Sequence, residues 1–194
     1  MKLYDYWGAP NPRRVHIFLA EKGMEVKRVH VDIMQLEQKS EAMLARNPSG
    51  KIPVLETDDG RHIAESVAIC RYLEALQPEP NLFGRDAYEL GHIESRNRQI
   101  ELELWTQIGT SWVNGPIVAR SGRFEQIPAA KEASDKNVLR YYERLDREFA
   151  DSAWVVRDAQ HCASDILNMN PVVARSSSEA RRITDKQPQQ RWEQ

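Results

Sequence analysis

The stretch Asn47-Pro48-Ser49-Gly50-Lys51-Ile52-Pro53-Val54-Leu55 is the most informative part of this sequence. Proline has no backbone N–H and is normally kept out of central strands, so an Ile-Pro step that opens a short apolar strand is unusual. A cis Ile52–Pro53 bond would form a fixed turn that directs the N–H and C=O of Ile52 outward. Those two groups could pair with an extended peptide, as an added strand does.

A second motif, Glu65-Ser66, follows further along the chain, where an amphipathic helix is predicted to begin. A Ser side chain, free amides and the positive end of a helix can together hold a carboxylate. The two motifs therefore describe a site for a small peptide with an acidic end. The same residues also fit a strand, a turn and a capped helix that bind nothing.

Length and composition exclude several classes of protein. A chain of 194 residues can form one large domain or two small ones, each with a core. The formal net charge of −2 favours neither nucleic-acid binding nor a polybasic membrane anchor. Two cysteines, Cys70 and Cys162, are too few for a disulfide framework and favour a reducing compartment. Because no apolar run resembles a signal peptide or a membrane span, we expect a cytoplasmic protein.

The first part of the chain predicts alternating strands and helices. Apolar periodicity indicates a strand at 3–7, a helix from about Arg13 to Gly23, and a second strand around 29–33. A short helix could lie within 35–46, and a hairpin is predicted at 51–56 and 61–64 around an acidic-Gly turn. This order is βαβ followed by ββα, which predicts an α/β, thioredoxin-like layout around a small mixed sheet. The predicted core faces of the two main helices are Val15, Phe18 and Leu19 in the first, and Ile69, Tyr72, Leu73 and Leu76 in the second.

The pattern changes to helices only after a proline-rich linker at 77–81. One long helix is predicted from Asp86 to about Asn114, and another begins near Ala129. The sequence thus predicts an α/β domain at 1–78 and an all-α domain at 86–194. The predicted core faces are Ile93, Ile100, Leu104 and Ile108 in the long helix, and Leu139, Tyr142, Leu145 and Phe149 in the later one.

The end of the sequence is less regular. The run from Cys162 to Asp165 has the acidic half of a capping box, but the Cys162 thiol is a poor acceptor at the cap position. Residues 176–194 contain few apolar side chains, so we expect a solvated helix or a frayed tail there.

Roughly the first 80 residues resemble the thioredoxin-like domain of a cytosolic glutathione transferase. The resemblance rests on the Lys51–Leu55 strand, the Asp58-Asp59-Gly60 turn and the Glu65-Ser66 pair, which occur in order at compatible spacings. It also includes 10–23 and the region around Asp165. The resemblance implies glutathione as co-substrate and a two-fold homodimer. After residue 173 the chain departs from the family, whose members usually continue with another apolar helix.

The resemblance assigns residues to each part of glutathione. Glu65 would take the ammonium and Ser66 the carboxylate of the γ-glutamyl end. Ile52, followed by Pro53, would pair with the peptide backbone. Lys51 could meet the glycyl carboxylate, although a surface lysine is an equally simple interpretation.

The chemistry of glutathione requires its thiolate, since the thiolate is the nucleophile. Many family classes place Ser or Cys just before the loop proline, but here Ala9 precedes Pro10. Ala9 leaves no Cys nucleophile there, which argues against omega-like and glutaredoxin-like thiol transfer. The sequence has no Cys-x-x-Cys motif, so thioredoxin-type dithiol chemistry is excluded as well. Pro10-Asn11 resembles the loop of bacterial nu-like members, in which the Asn amide approaches the sulfur. We rank Asn11 first and Tyr6 second as catalytic donors, ahead of the backbone amides of the first helical turn. A turn residue and a core aromatic are the respective alternatives.

Other side chains have weaker assignments. One of Arg13 and Arg14 could lend positive potential to the thiolate, or merely face solvent or brace the core. Cys70 is expected to be an inert, buried thiol. The five histidines show no metal-ligand spacing, so no metal is expected. A pocket for the electrophile is predicted from apolar side chains that could instead form interhelical core: Trp7, Trp105, Ile108 and Trp112.

The leading hypothesis is a detoxifying glutathione transferase that conjugates the glutathione thiolate to apolar electrophiles. Glutathione-dependent disulfide or peroxide reduction is a variant, suggested by the nu-like Pro10-Asn11 step. A non-catalytic, glutathione-transferase-like binding module is the second hypothesis, because Ala9 removes the usual side chain at the sulfur.

Overall fold

The computed structural model describes residues 1–122 and 125–149. The chain divides into two compact units, with the boundary between Arg85 and Asp86. The predicted cap at Cys162 and Asp165 and the segment 176–194 lie outside the described residues. None of the helices in the described part of the chain has the length and apolar character that a membrane span requires.

The first unit contains a four-stranded mixed sheet, as the alternation of strand and helix patterns predicted. The strand order is β2-β1-β3-β4; β1 is parallel to β2 and antiparallel to β3, and β3 is antiparallel to β4. A short 3-10 turn at Glu37–Lys39 precedes the second helix. The elements are β1 (Lys2–Asp5), α1 (Pro10–Lys22), β2 (Lys27–His30), α2 (Glu41–Arg46), β3 (Val54–Glu56), β4 (His62–Ala64) and α3 (Ser66–Leu76).

Helix α1 buries the predicted face of Val15, Phe18 and Leu19. It ends where Gly23 adopts a left-handed φ of 61°, which glycine tolerates without steric conflict. The helix begins at Pro10 rather than near Arg13, because the fixed φ of proline suits the first helical turn.

The strands β1 and β2 are shorter than predicted. Tyr6 leaves the sheet because its carbonyl accepts a hydrogen bond from the Ala9 N–H at 3.0 Å, which forms a turn. The register of β1 and β2 ends with Asp5 opposite His30. Val31 is buried as expected, but it lies just past the end of β2, where its N–H donates to the Asp5 carbonyl at 2.7 Å.

The core face of α3 is confirmed for Ile69 and Leu73, which are fully buried, with Tyr72 partly buried. The prediction for Leu76 is wrong, because Leu76 is 53% exposed. Leu76 is the last residue of α3, and the backbone becomes extended at Gln77, so the described residues leave about half of Leu76 uncovered.

A carboxylate on the sheet, that of Glu56, has a strongly lowered pKa. It accepts hydrogen bonds from Lys2 Nζ at 2.6 Å and from the Tyr4 hydroxyl at 2.6 Å, and His62 Nε2 lies 3.6 Å away. These hydrogen bonds lower the pKa of Glu56 from 4.5 to about 2, and the bond from Lys2 has a larger effect than the bond from Tyr4.

The stability of the protein should therefore fall as the pH is lowered from 4.5 toward 2. The folded-state pKa of Glu56 is below its unfolded-state pKa. Its ionised carboxylate therefore stabilises the fold at pH values above the unfolded-state pKa, and this stabilisation is lost as the pH falls through the folded-state pKa. Glu56→Gln should show a flatter dependence of unfolding free energy on pH across this window, measured by urea unfolding. The exposed Glu25→Gln variant is the control. An unchanged pH slope in Glu56→Gln would contradict the assignment.

The second unit is helical in its described part. The predicted helix from Asp86 to Asn114 is confirmed as one run; the Asp86 carboxylate caps it by accepting the Glu89 N–H at 2.9 Å. The sequence did not indicate the π-helical segment within it. The elements are α4 (Ala87–Gln99), the π-helical segment (Ile100–Trp105), α5 (Thr106–Val113), α6 (Pro116–Ala119) and α7 (Pro128–Phe149).

The core of this unit contains Ile100 and Leu104, with Ile108 packed against them, as the long-helix pattern predicted. Ile93 is also buried. The core face of α7 differs from the prediction. Tyr141 and Leu145 are buried, Val138 and Tyr142 pack beside them, and Leu139 is 62% exposed. Apolar residues occur in adjacent pairs at 138–139 and 141–142, so periodicity alone did not identify the inner member of each pair. The side chain of Phe149 lies outside the described residues.

Candidate functional site

The Ile52–Pro53 bond is cis, and β3 begins at the next residue, Val54. Pro53 is buried, and the Ile52 side chain packs against the buried cluster around Tyr4 and Val54. The register pairs Tyr4 with Val54, the first residue of β3, so Ile52 lies just before the paired part of the strand. Within the described residues, no backbone hydrogen bond involves the N–H or C=O of Ile52. These groups can therefore pair with an extended ligand.

The loop before this strand is held by its own side chains. Asn47 is buried; its Nδ2 donates to the Lys51 carbonyl at 2.8 Å, and its Oδ1 accepts from the Ser49 amide at 3.2 Å. Gly50 has a φ of 58°, and a Cβ there would lie 2.6 Å from Lys39 Nζ. Lys39 Nζ donates to the Ser49 carbonyl at 3.1 Å. Two cations, Lys39 and the exposed Lys51, thus accompany this loop, and the sequence indicated only Lys51.

The Glu65-Ser66 pair begins α3. Glu65 has φ 66° and ψ 119°, a positive φ that residues other than glycine rarely adopt. Such strained residues are concentrated at binding and active sites. The Glu65 side chain is exposed and caps no N–H of the helix, whereas Ser66 is only 4% exposed. The backbone thus directs an acidic side chain outward beside a nearly buried hydroxyl.

The β3–β4 hairpin brings the two motifs together. Val54 pairs with Ala64 in antiparallel register. Ile52 lies two residues before Val54, and Ser66 lies two residues after Ala64. Both motifs therefore lie at the same end of the hairpin. A peptide site formed by the two motifs together requires this arrangement.

Helix α1 is joined to this end of the hairpin by Arg14. Its Nη1 donates to the Ser66 Oγ at 2.6 Å and to the Asn11 Oδ1 at 3.4 Å. Asn11 and Ser66, predicted at the sulfur and at the γ-glutamyl carboxylate, are thus bound to one guanidinium. Of the two arginines that the sequence left open, Arg13 is exposed and Arg14 makes this connection. Sequence periodicity could not reveal a contact across 52 positions.

The start of α1 has few backbone donors. Ala9 occupies the N-cap position and provides no side-chain cap, and Pro10 and Pro12 have no N–H. The Arg13 N–H donates to the Ala9 carbonyl at 3.2 Å. In this first turn, Asn11 is therefore the residue that has a backbone N–H and a side-chain amide near the positive end of the helix.

Tyr6 and Trp7, which precede this turn, have different surroundings. The Tyr6 ring lies 5.5 Å from the His30 ring, a packing arrangement that fits the alternative interpretation of Tyr6. Trp7 is 52% exposed, and the Arg28 guanidinium lies 4.9 Å from the centre of its ring. The His16 ring meets the indole edge-on at 5.2 Å. Trp7 is thus held in place while much of its surface faces solvent.

A buried carboxylate, Asp5, supports both partners of Trp7. His16 Nε2 lies 2.6 Å from Asp5, and Arg28 donates to both Asp5 oxygens at 2.9 Å. Burial opposes ionisation of Asp5, but the hydrogen bonds from His16 and Arg28 outweigh burial and lower its pKa. Asp5 is therefore the ionised anchor of this cluster at neutral pH.

Cys70 takes no part in the chemistry. Its side chain is buried in α3, and burial raises the pKa of the thiol to about 12. It is protonated at neutral pH and cannot act as a nucleophile. Among the residues that the structure describes, no group of three or more His, Cys, Asp or Glu side chains is placed to hold a metal ion.

The similarity to known proteins agrees with this geometry. Residues 9–76 match the family of the glutathione S-transferase N-terminal domain. The crystal structure of Gtt2 from Saccharomyces cerevisiae is similar with a TM-score of 0.81 and 30% identity, over 98% of this chain and 90% of that chain. The chain belongs to the glutathione S-transferase family. Within this family member, Asn11, Arg14, Ile52, Glu65 and Ser66 all lie in the matched region.

Two curated sequences are similar to parts of this glutathione S-transferase family member. Glutathione S-transferase 2 of Saccharomyces cerevisiae is 45% identical over 106 residues, which are 54% of this chain and 46% of that protein. Maleylacetoacetate isomerase of Pseudomonas aeruginosa is 39% identical over 88 residues, 44% of this chain and 42% of that protein. The chain thus covers less than half the length of these two relatives.

The remaining predicted pocket residues lie in the helical unit of this family member. Ile108 packs against the core around Ile100 and Leu104, as the interhelical alternative expects. Trp105 is partly buried at the end of the π-helical segment, and Trp112 is 57% exposed. Of these three side chains, Trp112 has the largest surface open to a ligand.

Proposed function

We propose that this chain is a glutathione transferase that conjugates the glutathione thiolate to apolar electrophiles. The observation that carries the proposal is the register of Val54 with Ala64, which places Ile52 and Glu65-Ser66 at one end of the hairpin. A detoxifying role follows from that chemistry, since conjugation converts apolar electrophiles into polar products.

The tripeptide would lie across this end of the sheet, with each charge matched. Glu65 takes the γ-glutamyl ammonium, and Ser66 donates to its carboxylate at the positive end of α3. The backbone of Ile52 pairs with the cysteinyl residue as an added strand does. Lys51, with Lys39 beside the same loop, meets the glycyl carboxylate.

The reaction needs the thiol as thiolate, beside the start of α1. The thiol loses its proton to solvent, and Asn11 stabilises the sulfur anion by donating from its amide. The sulfur electron pair then attacks the electrophilic carbon; a C–S bond forms, and a leaving group such as chloride departs with the electrons of its bond. Because the tripeptide is bound at both ends, its sulfur is held at the loop, which is catalysis by positioning.

Trp7 is the wall that we propose for the electrophile in the first unit. Its indole is clamped by Arg28 and His16 and is exposed over much of its surface, so it offers a fixed apolar face. Trp105, Ile108 and Trp112 remain pocket residues predicted from the sequence.

Reduction of disulfides or peroxides is the second candidate, and the Pro10-Asn11 step favours it. In that reaction the thiolate attacks a disulfide sulfur and expels a thiolate, forming a mixed disulfide that a second glutathione resolves to oxidised glutathione. Glutathione would be bound by the same residues in both reactions, so the reactions differ only in the molecule that the thiolate attacks.

We also propose that the chain forms a two-fold homodimer in the cytoplasm. The dimer is what the resemblance to the family implies. The small number of cysteines supports a reducing compartment. Sedimentation of the purified chain measures its oligomeric state and so tests the proposed dimer.

The purified protein should bind glutathione and conjugate it to a chloronitroarene above the uncatalysed rate. Asn11→Ala should lower kcat/KM about a hundredfold, the effect of losing one donor to a developing anion. The exposed Gln35→Ala variant removes an amide elsewhere and should leave the rate unchanged. Calorimetry with glutathione and initial rates with several electrophiles are the measurements.

Each other outcome has a distinct meaning. No rate with any electrophile, together with turnover of a hydroxyethyl disulfide, would favour the reductase. Glutathione binding without either activity would indicate a binding module. Absence of binding would overturn the proposal.

A further inference from the structure

We propose that Arg14 is a positioning residue that makes both Asn11 and Ser66 donors toward glutathione. This inference rests on the proposed function, because it concerns how the same ligand is oriented. A guanidinium has five N–H donors and no acceptor, so any polar atom that it touches must accept from it. Arg14 touches one atom of each of the two side chains, and this determines what each can do next.

The Ser66 hydroxyl is polarised by this contact. It has one O–H and two acceptor lone pairs, and Arg14 Nη1 uses a lone pair at 2.6 Å. The hydroxyl proton cannot point at the guanidinium, so it must point to an acceptor on another side. Ser66 is nearly buried, which leaves few directions, and the carboxylate of a bound γ-glutamyl group supplies such an acceptor.

The Asn11 side chain is oriented by the same group. Its amide has an acceptor end and a donor end, and a rotation by half a turn exchanges them. Arg14 Nη1 donates to the Asn11 Oδ1 at 3.4 Å, so a flipped amide would place two donors against each other. The Nδ2 end is therefore directed away from Arg14 and is free to donate to an anion.

The positive charge of Arg14 also favours binding of glutathione in this orientation. The guanidinium is always protonated, and it lies close enough to α3 to oppose the effect of burial on the Cys70 thiol. A permanent positive charge at this point favours a carboxylate on Ser66 and a thiolate at Asn11. Arg14 thus couples the two ends of the γ-glutamyl-cysteine part of the ligand.

The adjacent arginines provide a matched comparison. Arg13 and Arg14 both belong to the start of α1, but Arg13 is exposed and Arg14 is partly buried. Arg13→Gln and Arg14→Gln remove the same charge from neighbouring positions. Arg14→Lys keeps the charge but loses the rigid, planar guanidinium that fixes the direction of the two Nη1–H donors.

The test measures glutathione affinity by calorimetry, the pKa of the bound thiol from thiolate absorbance, and the pH profile of kcat/KM. Arg14→Gln should weaken glutathione binding about tenfold and raise the pKa of the bound thiol by roughly one unit. The pH profile of kcat/KM for the electrophile, measured with saturating glutathione, should move to higher pH by the same amount. Arg14→Lys should restore most of the thiol pKa but little of the affinity, and Arg13→Gln should match the wild type.

The outcomes separate this inference from the function on which it rests. If the wild type binds no glutathione, the proposed function fails and the role of Arg14 fails with it. If the wild type binds and conjugates glutathione while folded Arg14→Gln behaves like Arg13→Gln, only the role of Arg14 is overturned.

A double-mutant cycle keeps the inference testable should Arg14→Gln not fold. Asn11→Ala and Ser66→Ala are coupled through Arg14, so their effects on glutathione binding should be non-additive. A coupling of at least threefold in affinity supports the proposal. Strict additivity of the two variants would contradict it.

Discussion

Replacing Lys22 by methionine should lower the free energy of unfolding by about 3–5 kcal/mol, the range for breaking a buried ion pair. The Lys22 side chain is fully buried, and its Nζ lies 2.5 Å from the Glu74 carboxylate. The same Nζ donates to the carbonyls of Gln77 at 2.8 Å, Pro78 at 3.2 Å and Pro80 at 2.5 Å. One ammonium therefore donates to three backbone carbonyls after the end of α3 and is also the counter-ion of a carboxylate.

The substitution leaves the Glu74 charge without its counter-ion and the three carbonyls without their donor, which is the source of the loss. Urea unfolding followed by tryptophan fluorescence measures it. Lys27→Met is the matched control, because Lys27 is exposed on β2. The double variant with Glu74→Met should recover part of the loss, since it removes the uncompensated charge. A loss in Lys22→Met no larger than that in Lys27→Met would show that the buried pair is not stabilising.

Ser66→Ala should weaken glutathione binding by about ten- to a hundredfold. A hydrogen bond to a charged group contributes about 1.5–3 kcal/mol, and roughly 1.4 kcal/mol corresponds to a factor of ten in affinity. The variant removes the donor to the ligand carboxylate and also the acceptor of Arg14 Nη1. The effect should therefore lie toward the upper end of that range.

Steady-state kinetics should show this loss mainly as a rise in KM, because the carboxylate is bound equally in the ground state and the transition state. Ser95→Ala, at an exposed position of α4, is the control for removal of a serine hydroxyl. Equal affinity of the Ser66→Ala variant and the wild type, with both proteins folded, would remove Ser66 from the site.

Much of the first unit follows from local sequence, because its elements are short and strongly patterned. The hairpin is specified by the Lys51–Leu55 run, the acidic-Gly turn and the apolar residues after it, and all three occur as expected. The helices α1 and α3 follow from one apolar face each, and α1 from a glycine stop as well. Periodicity is reliable here since each of these helices buries one face.

The departures arise where tertiary contacts decide between equivalent local patterns. Leu139 and Val138 are adjacent apolar residues of α7, and only the packing of Tyr141 and Leu145 determines which of the two turns inward. The π-helical segment likewise has no local signature in the sequence.

The same limit applies to the candidate site. Glu65 and Ser66 were recognisable from their position at a helix start, as was Asn11 from its place beside Pro10. The sequence could not choose between Arg13 and Arg14 and did not indicate Lys39, because the contacts of Arg14 and Lys39 join residues that are far apart or in different elements. Contacts of this kind depend on how the chain closes on itself, which no local pattern records.

The two prolines at the start of α1 have an evolutionary consequence. A capping side chain at position 9 would bond the N–H of the second or third helical residue, but the third is Pro12, which has none. Ala9 therefore forgoes little helix stability, and the one amide that a cap would occupy, that of Asn11, stays available. Natural selection can thus exchange residue 9 for the sake of reactivity while folding remains almost indifferent to the choice.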